Sequence, residues 1–154
     1  MDKSQAYKDL FRDCSAVIEG ETNQIARMAT LVSMLVTTFG QRYFWCGFYI
    51  VDTQKPNELV IGPYQGTLGC LRIPFSNGVC GKAAREKLTQ VVDDVHAFEG
   101  HIACDSRSNS EIVVPVLDKT GALRAVLDVD STEFAAFDQT DAIGLEALCA
   151  TLFM

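Results

Sequence analysis

The chain predicts an α+β fold, a central antiparallel sheet of about six strands with helices packed on it. Three observations lead there. Apolar residues recur at helical spacing near the start of the chain and again near its end. From position 43 onward the texture changes to aromatic and β-branched runs broken by turn residues. No repeat, linker or low-complexity tract interrupts the 154 residues, so a single domain over 1–154 is expected.

The elements follow in order. Tyr7, Leu10, Phe11, Cys14, Val17 and Ile18 fall on one helical stripe, with Ser4 as the expected N-cap and Gly20 as terminator. A second helix is expected from about Asn23 to Phe39, closed by Gly40, burying Ile25, Met28, Leu31, Val32 and Leu35. Residues 43–51 read as a strand buried on both faces. Polar residues 52–57 turn the chain into a hairpin partner at 58–61. A glycine-rich loop leads to a short strand at 70–73. A short helix then opens in 76–81 and carries Ala83, Ala84 and Leu88, and Val91 and Val92 suggest another short strand. Residues 93–110 have no periodicity, and a loop this long between strands is expected to be functional. Strands at 111–117 and 122–130 flank a turn at 118–121. Asp138 caps a closing helix, with Asp141 three residues on as a variant capping box, and Ile143, Leu145, Leu148, Cys149 and Leu152 are its apolar members. The strands are expected to form a meander.

Composition narrows the function. Apolar residues make up 48% and charged residues 21%, enough apolar surface for a real core. The net charge is -7, and the thirteen Lys and Arg do not cluster, which argues against a nucleic-acid or anionic-membrane partner. No apolar run is long enough to cross a bilayer, and the first residues lack the basic-then-apolar order of a secretory signal. A cytoplasmic location is therefore expected. There the six cysteines are buried thiols, metal ligands or redox groups rather than a disulfide framework.

Cys14 and Cys149 lie on apolar helical stripes and read as core. Cys70, Cys80 and Cys104 lie outside those stripes and outside the aromatic strand. Cys80 sits near a helix start, where backbone N–H groups lower a thiol pKa. Cys104 sits in the long loop near His101 and Asp105, where a nucleophile is better placed than inside a strand. Two other readings stay open. Cys80, His96, His101 and Cys104 are four potential zinc ligands, though no C-x-x-C knuckle or ordered His pair accompanies them. The thiols are otherwise simply buried and reduced. Asp128 and Asp130 alternate within an apolar strand and share a face, and Glu111 begins the preceding strand. If the strands pair as a hairpin, the three carboxyls converge, raise one another's pKa and leave one protonated as a general acid. The alternative is a solvated strand end. Trp45 and Tyr49 share a face of their strand and read as core or as an aromatic wall for a small ligand.

The runs GVCG (78–81), VDDVHAFEGHIACDSRSNSEIVVPV (92–116) and LDVDS (127–131), with WCGFYIV (45–51), IGPYQG (61–66) and CLRIPF (70–75), closely resemble the free methionine-(R)-sulfoxide reductases, a family built on the GAF fold. The resemblance runs from about Tyr43 to the final helix. It implies a GAF-like fold, Cys104 as catalytic nucleophile, Cys70 as resolving cysteine, and Cys80 as a further thiol that can take part in resolution. It implies that Glu111, Asp128 and Asp130 surround the sulfoxide oxygen, that Trp45 packs on the substrate methyl group and that Tyr49 lines the same pocket. The implied reaction reduces free L-methionine (R)-sulfoxide through a Cys104 sulfenic acid and an intramolecular disulfide, reset by a thioredoxin-like dithiol. It calls for no metal or organic cofactor, and the resemblance further implies a homodimer. The sequence departs from the family pattern at Cys46, where a small apolar residue is usual, and at Leu68 and Gly69. The competing reading is a non-enzymatic GAF domain sensing a small molecule or redox state.

Overall fold

Two three-stranded meanders join edge to edge to make the sheet. The structure is a computed structural model and describes residues 1–102 and 104–153. Along the chain run α1 (Lys3–Val17), α2 (Gln24–Phe39), β1 (Trp45–Val51), β2 (Glu58–Gln65), β3 (Arg72–Pro74), α3 (Gly78–Glu86), β4 (Gln90–Val92), β5 (Ser110–Leu117), β6 (Leu123–Ser131) and α4 (Gln139–Cys149). All six strands are antiparallel, in the order β3-β2-β1-β6-β5-β4. The expected simple meander is thus corrected. The central pairing joins β1 to β6, which are far apart in sequence, and a single strand pattern carries no information about such a partner.

The sheet is buried on both faces, and the strand alternation divides its residues between two cores. Cys46, Phe48, Ile112, Val114, Leu127 and Val129 face the layer of α1, α2 and α4. Trp45, Tyr49, Val113 and Val126 face α3, Ile73 and the long loop. Cys14, Cys46 and Cys149 all belong to the first core, so Cys46 lies across the sheet from the second. Among the described residues no helix is long and apolar enough to cross a membrane.

Local details depart from the sequence pattern where competing partners exist. Asp2, not Ser4, caps α1, its carboxylate accepting from the Gln5 amide, and Ser4 lies inside the helix. Phe11, Val17, Ile25, Leu88 and Ile143 are exposed rather than core, because each sits at the edge of its apolar stripe or beyond its helix. β3 starts at Arg72, two residues later than expected, leaving Cys70 in the preceding loop. β2 runs on to Gln65, well past the expected end. Asp138 and Asp141 form the expected capping box on α4.

Two buried polar anchors hold the helix layer together, and neither is visible in the hydrophobic pattern. The Arg27 guanidinium donates to the carbonyls of Ile18, Glu21, Thr151 and Leu152, tying the ends of α1 and α4 to α2. Tyr7 donates to Asp141 Oδ1 at 2.9 Å and bonds Tyr43 at 2.6 Å, while Lys3 reaches Asp141 Oδ2 at 2.7 Å. Gly144 makes room for this. A Cβ there would lie 2.3 Å from the Tyr7 ring, an overlap that must be relieved by moving α1. We expect Gly144→Ala to lower unfolding stability by about 1–3 kcal/mol in urea titrations, the usual range for overpacking.

Candidate active site

The second core contains an unusual patch, three carboxyls on a buried sheet face. Strand register puts them there. Trp45, Asp130 and Glu111 are opposite one another across β1, β6 and β5. Gly47, Asp128 and Val113 form the next row on the same face. Hairpin pairing of β5 with β6 therefore brings Glu111, Asp128 and Asp130 together. Glu111 and Asp128 are buried and Asp130 is half-buried, so they do not form a solvated strand end.

A cavity of about 40 Å³ opens over this patch. Its floor is Glu111, Asp128, Asp130 and Cys80, its aromatic wall is Trp45 and Tyr49, and Cys104 stands at its edge with His101. Cys70 is bonded to Cys104 as a disulfide with the Cα atoms 5.7 Å apart, linking the loop before β3 to the loop before β5. Cys104 is exposed and Cys70 half-buried, so the disulfide is open to solvent. Of the site residues that the family resemblance implies, Cys70 lies off the cavity lining and is attached to it through sulfur.

The aromatic wall depends on glycines that pack against it, Gly47, Gly66 and Gly69. Trp45 stacks on Tyr49 with centroids 5.8 Å apart and on Tyr64 at 5.2 Å. A Cβ on Gly47 would lie 2.2 Å from the Tyr64 Cβ and 2.8 Å from the Trp45 ring. A Cβ on Gly69 would lie 2.8 Å from the Trp45 ring and 3.1 Å from the Tyr49 hydroxyl. The Leu68–Gly69 departure thus places a glycine where the loop backbone packs on the wall, with the Leu68 side chain in solvent. Trp45 Nε1 donates to the Thr67 carbonyl at 2.8 Å, fixing the indole plane.

Electrostatics at the floor favour protons. Burial, then the charge of Asp130, pushes Glu111 up to about 8. Burial first, and then the neighbouring carboxyls, also raise Asp128 and Asp130 well above the ordinary carboxylate range. A hydrogen bond joins Glu111 and Asp128. The coupled pair holds a proton between its two carboxyls. The Cys80 thiol donates to Asp128. Among the described residues Asp128 Oδ1 is buried without a partner, an open acceptor in the recess.

Two expectations are corrected here. Cys80 lies at the third residue of α3, but its thiol is pushed well up, not down, by burial and then by Asp128, Glu111 and Asp130. In a buried recess, desolvation and three acids outweigh a helix N-terminus. The zinc set of Cys80, His96, His101 and Cys104 does not assemble. Cys104 is bonded to Cys70, and the exposed His96 bonds Asn109 at 2.8 Å. Among the described residues the group close enough to hold an ion is instead Cys80, Glu111 and Asp128, whose polar atoms lie within 4.8 Å of one another. His101 Nε2 stands 3.6 Å from Glu111, but burial lowers its pKa, so at neutral pH the two are not an ion pair.

Sequence reading passed over Thr67, Arg107 and Ser108. Ser108 is buried at the cavity edge. Thr67 Oγ1 donates to Asp105 Oδ2 at 2.8 Å, and Arg107 grips Asp105 through Nε at 3.0 Å and a terminal nitrogen at 2.8 Å. The Thr67–Asp105 contact joins loops distant in sequence, so no local signal marks it.

Comparison with known proteins gives a consistent picture. The GAF domain family matches residues 25–152. The free methionine-R-sulfoxide reductase of Escherichia coli (strain K12) is 43% identical over 152 residues, covering 99% of this chain and 89% of the relative. GAF domain-containing protein A of Dictyostelium discoideum is 46% identical over 139 residues, covering 90% and 85%. The X-ray structure of free methionine-R-sulfoxide reductase from Neisseria meningitidis in complex with its substrate superposes with a TM-score of 0.93 at 46% identity, covering 99% and 89% of the two chains.

A raised folded-state pKa means the folded chain holds an extra proton between the ordinary carboxyl value and about 8 for Glu111, so stability falls as pH rises through that window. We expect urea midpoints of the native chain to drop between about pH 5 and about pH 9, and Glu111→Gln to remove much of that drop.

Proposed function

The chain belongs to the free methionine-R-sulfoxide reductases, a family built on the GAF domain, and we propose that Cys104 and the carboxyl floor of its cavity carry out the reduction. The substrate is free L-methionine (R)-sulfoxide and the product methionine. The observation that carries this reading is a cysteine pair at the mouth of a cavity floored by buried, proton-holding carboxyls.

A sulfoxide sulfur becomes a good electrophile when its oxygen is protonated. In this reading the substrate methyl packs on Trp45, with Tyr49 beside it, and the oxygen enters the recess of Glu111, Asp128 and Asp130. A protonated carboxyl gives the oxygen a proton, and the unpartnered Asp128 oxygen is free to bond a protonated sulfoxide. The Cys104 thiolate attacks sulfur. The oxygen ends on Cys104 as a sulfenic acid, and methionine leaves reduced by two electrons. Cys70 then condenses with the sulfenic acid, releasing water and giving the disulfide seen in the structure. Cys80 is the second thiol within the cavity. Its raised pKa makes it a donor to Asp128 first and a reserve partner in resolution second.

The solvent-open disulfide suits reduction by an external dithiol of the thioredoxin class. Such cycling needs a reducing compartment, which is the basis for a cytoplasmic location. In this cycle the chain's own residues supply the nucleophile, the proton donors and the resolving thiol, and the steps as written call for no metal or organic cofactor. A homodimer would have a surface available, the exposed Phe11 and Ile143 along α1 and α4. A non-catalytic GAF sensor would use the same cavity but would not require turnover.

With pre-reduced protein and a dithiol, we expect free L-methionine (R)-sulfoxide to be turned over and Cys104→Ser to be inactive. Cys70→Ser should release methionine once per chain and then stall without a strong external thiol. Binding of the sulfoxide without methionine release would favour the sensor. The rate should also fall as pH rises through about 8, where Glu111 loses its proton.

A further inference from the structure

The two cysteines of the disulfide sit on separate loops, and covalent pairing requires those loops to stay in register while both sulfurs are reduced. One set of non-covalent contacts joins the same two loops. Thr67 lies three residues before Cys70, and Asp105 follows Cys104 directly. The Thr67 hydroxyl donates to Asp105 Oδ2 at 2.8 Å. Arg107 holds both Asp105 oxygens, Nε at 3.0 Å from Oδ1 and a terminal nitrogen at 2.8 Å from Oδ2, and the Arg107 amide donates to Oδ1 at 3.0 Å. The Arg107 guanidinium in turn lies over the Phe44 ring at 4.9 Å, next to the start of β1. On the other side, the Thr67 carbonyl accepts from Trp45 Nε1 at 2.8 Å.

We propose that Thr67, Asp105 and Arg107 form a clasp that positions the Cys70 loop against the Cys104 loop for the disulfide-forming step. They are positioning residues, since none supplies a reacting atom. The proposal rests on the reductase reading of the site and adds to it the device that makes resolution fast. In that step the Cys70 sulfur bonds the Cys104 sulfur and the S–O bond of the sulfenic acid breaks. The oxygen leaves as water with its own proton and the Cys70 thiol proton. Cys70 sulfur is oxidised and Cys104 sulfur reduced, so no outside oxidant is needed. Such a step gains its rate from holding two groups close in the right orientation. Hydrogen bonds supply that hold without depending on the bond being made. Arg107 also neutralises Asp105, limiting the repulsion its carboxylate would exert on the neighbouring Cys104 thiolate.

The test separates methionine release from disulfide formation. Pre-reduced protein is mixed rapidly with equimolar free L-methionine (R)-sulfoxide and quenched at intervals. Methionine is measured by chromatography, the Cys70–Cys104 disulfide by alkylation and mass spectrometry, and sulfenic acid by dimedone capture. Thr67→Val removes only the hydroxyl and keeps the carbonyl that Trp45 uses. We expect its methionine burst to be unchanged while disulfide formation slows about tenfold or more, the scale of losing a hydrogen bond to a charged group. Dimedone-trapped Cys104 should then accumulate. Asp105→Asn should also slow disulfide formation, and Thr67→Ser should restore it. If disulfide formation keeps pace with methionine release in both Thr67→Val and Asp105→Asn, the clasp is wrong. It is also wrong if burst and disulfide slow in equal proportion, since the contact would then serve the substrate step or the fold. Absence of a methionine burst in the native chain would instead overturn the reductase reading itself.

Discussion

Three carboxyls forced together on a buried sheet face are the constraint around which this site is organised. Ionised, they would repel one another in a recess with little water, so the cavity favours their protonated forms. Those protons are what a sulfoxide oxygen requires. The register of β1, β6 and β5 sets this up, because one row carries Trp45, Asp130 and Glu111 side by side. Aromatic wall and acid floor are therefore built by the same strand pairing. The opposite face of the same strands is apolar except for Ser110 and Ser131 at one end and is locked beneath three helices, which keeps the acidic face from relaxing.

The arrangement opposes stability to function. An apolar residue at Asp128 would suit the core better, and the orphaned Asp128 oxygen has no structural benefit within the chain. In the helix layer Arg27 and Asp141 are well hydrogen-bonded, whereas Gln24 Oε1, Arg42 Nε and, in the recess, Asp128 Oδ1 are buried without a partner among the described residues. At Asp128 a ligand with a hydrogen-bond donor would satisfy the open oxygen.

Much of the fold was legible from local pattern. Helical stripes, the Asp138 capping box and the Asp118–Gly121 turn follow from short-range chemistry, and each element forms close to its expected place. Pairing of β1 with β6 was not legible, because alternation tells which face a residue takes but not which strand lies beside it. The same limit applies to the site. Asp128 and Asp130 stand out as acids in an apolar strand, and Glu111 joins them through a hairpin that the turn announces. By contrast, the link between Cys70 and Cys104 spans two loops, and family resemblance rather than spacing singled out that pair. Cys80 shows a different failure. Its place near the start of α3 follows from local sequence, but burial and the carboxyls beneath it dominate its thiol, and neither is local. Arg27 and the Thr67–Asp105 contact carry no periodic signal at all.

The central claim is that the recess keeps a carboxyl protonated at neutral pH beside the reactive thiol. Infrared spectroscopy of the carboxyl stretch across a pH titration measures this directly, with Glu111→Gln and Asp128→Asn to assign the bands. The account predicts a protonated-carboxyl band that persists at about pH 7 and weakens as pH rises through about 8, altered in both variants. A spectrum showing all three groups ionised at about pH 7 would contradict it.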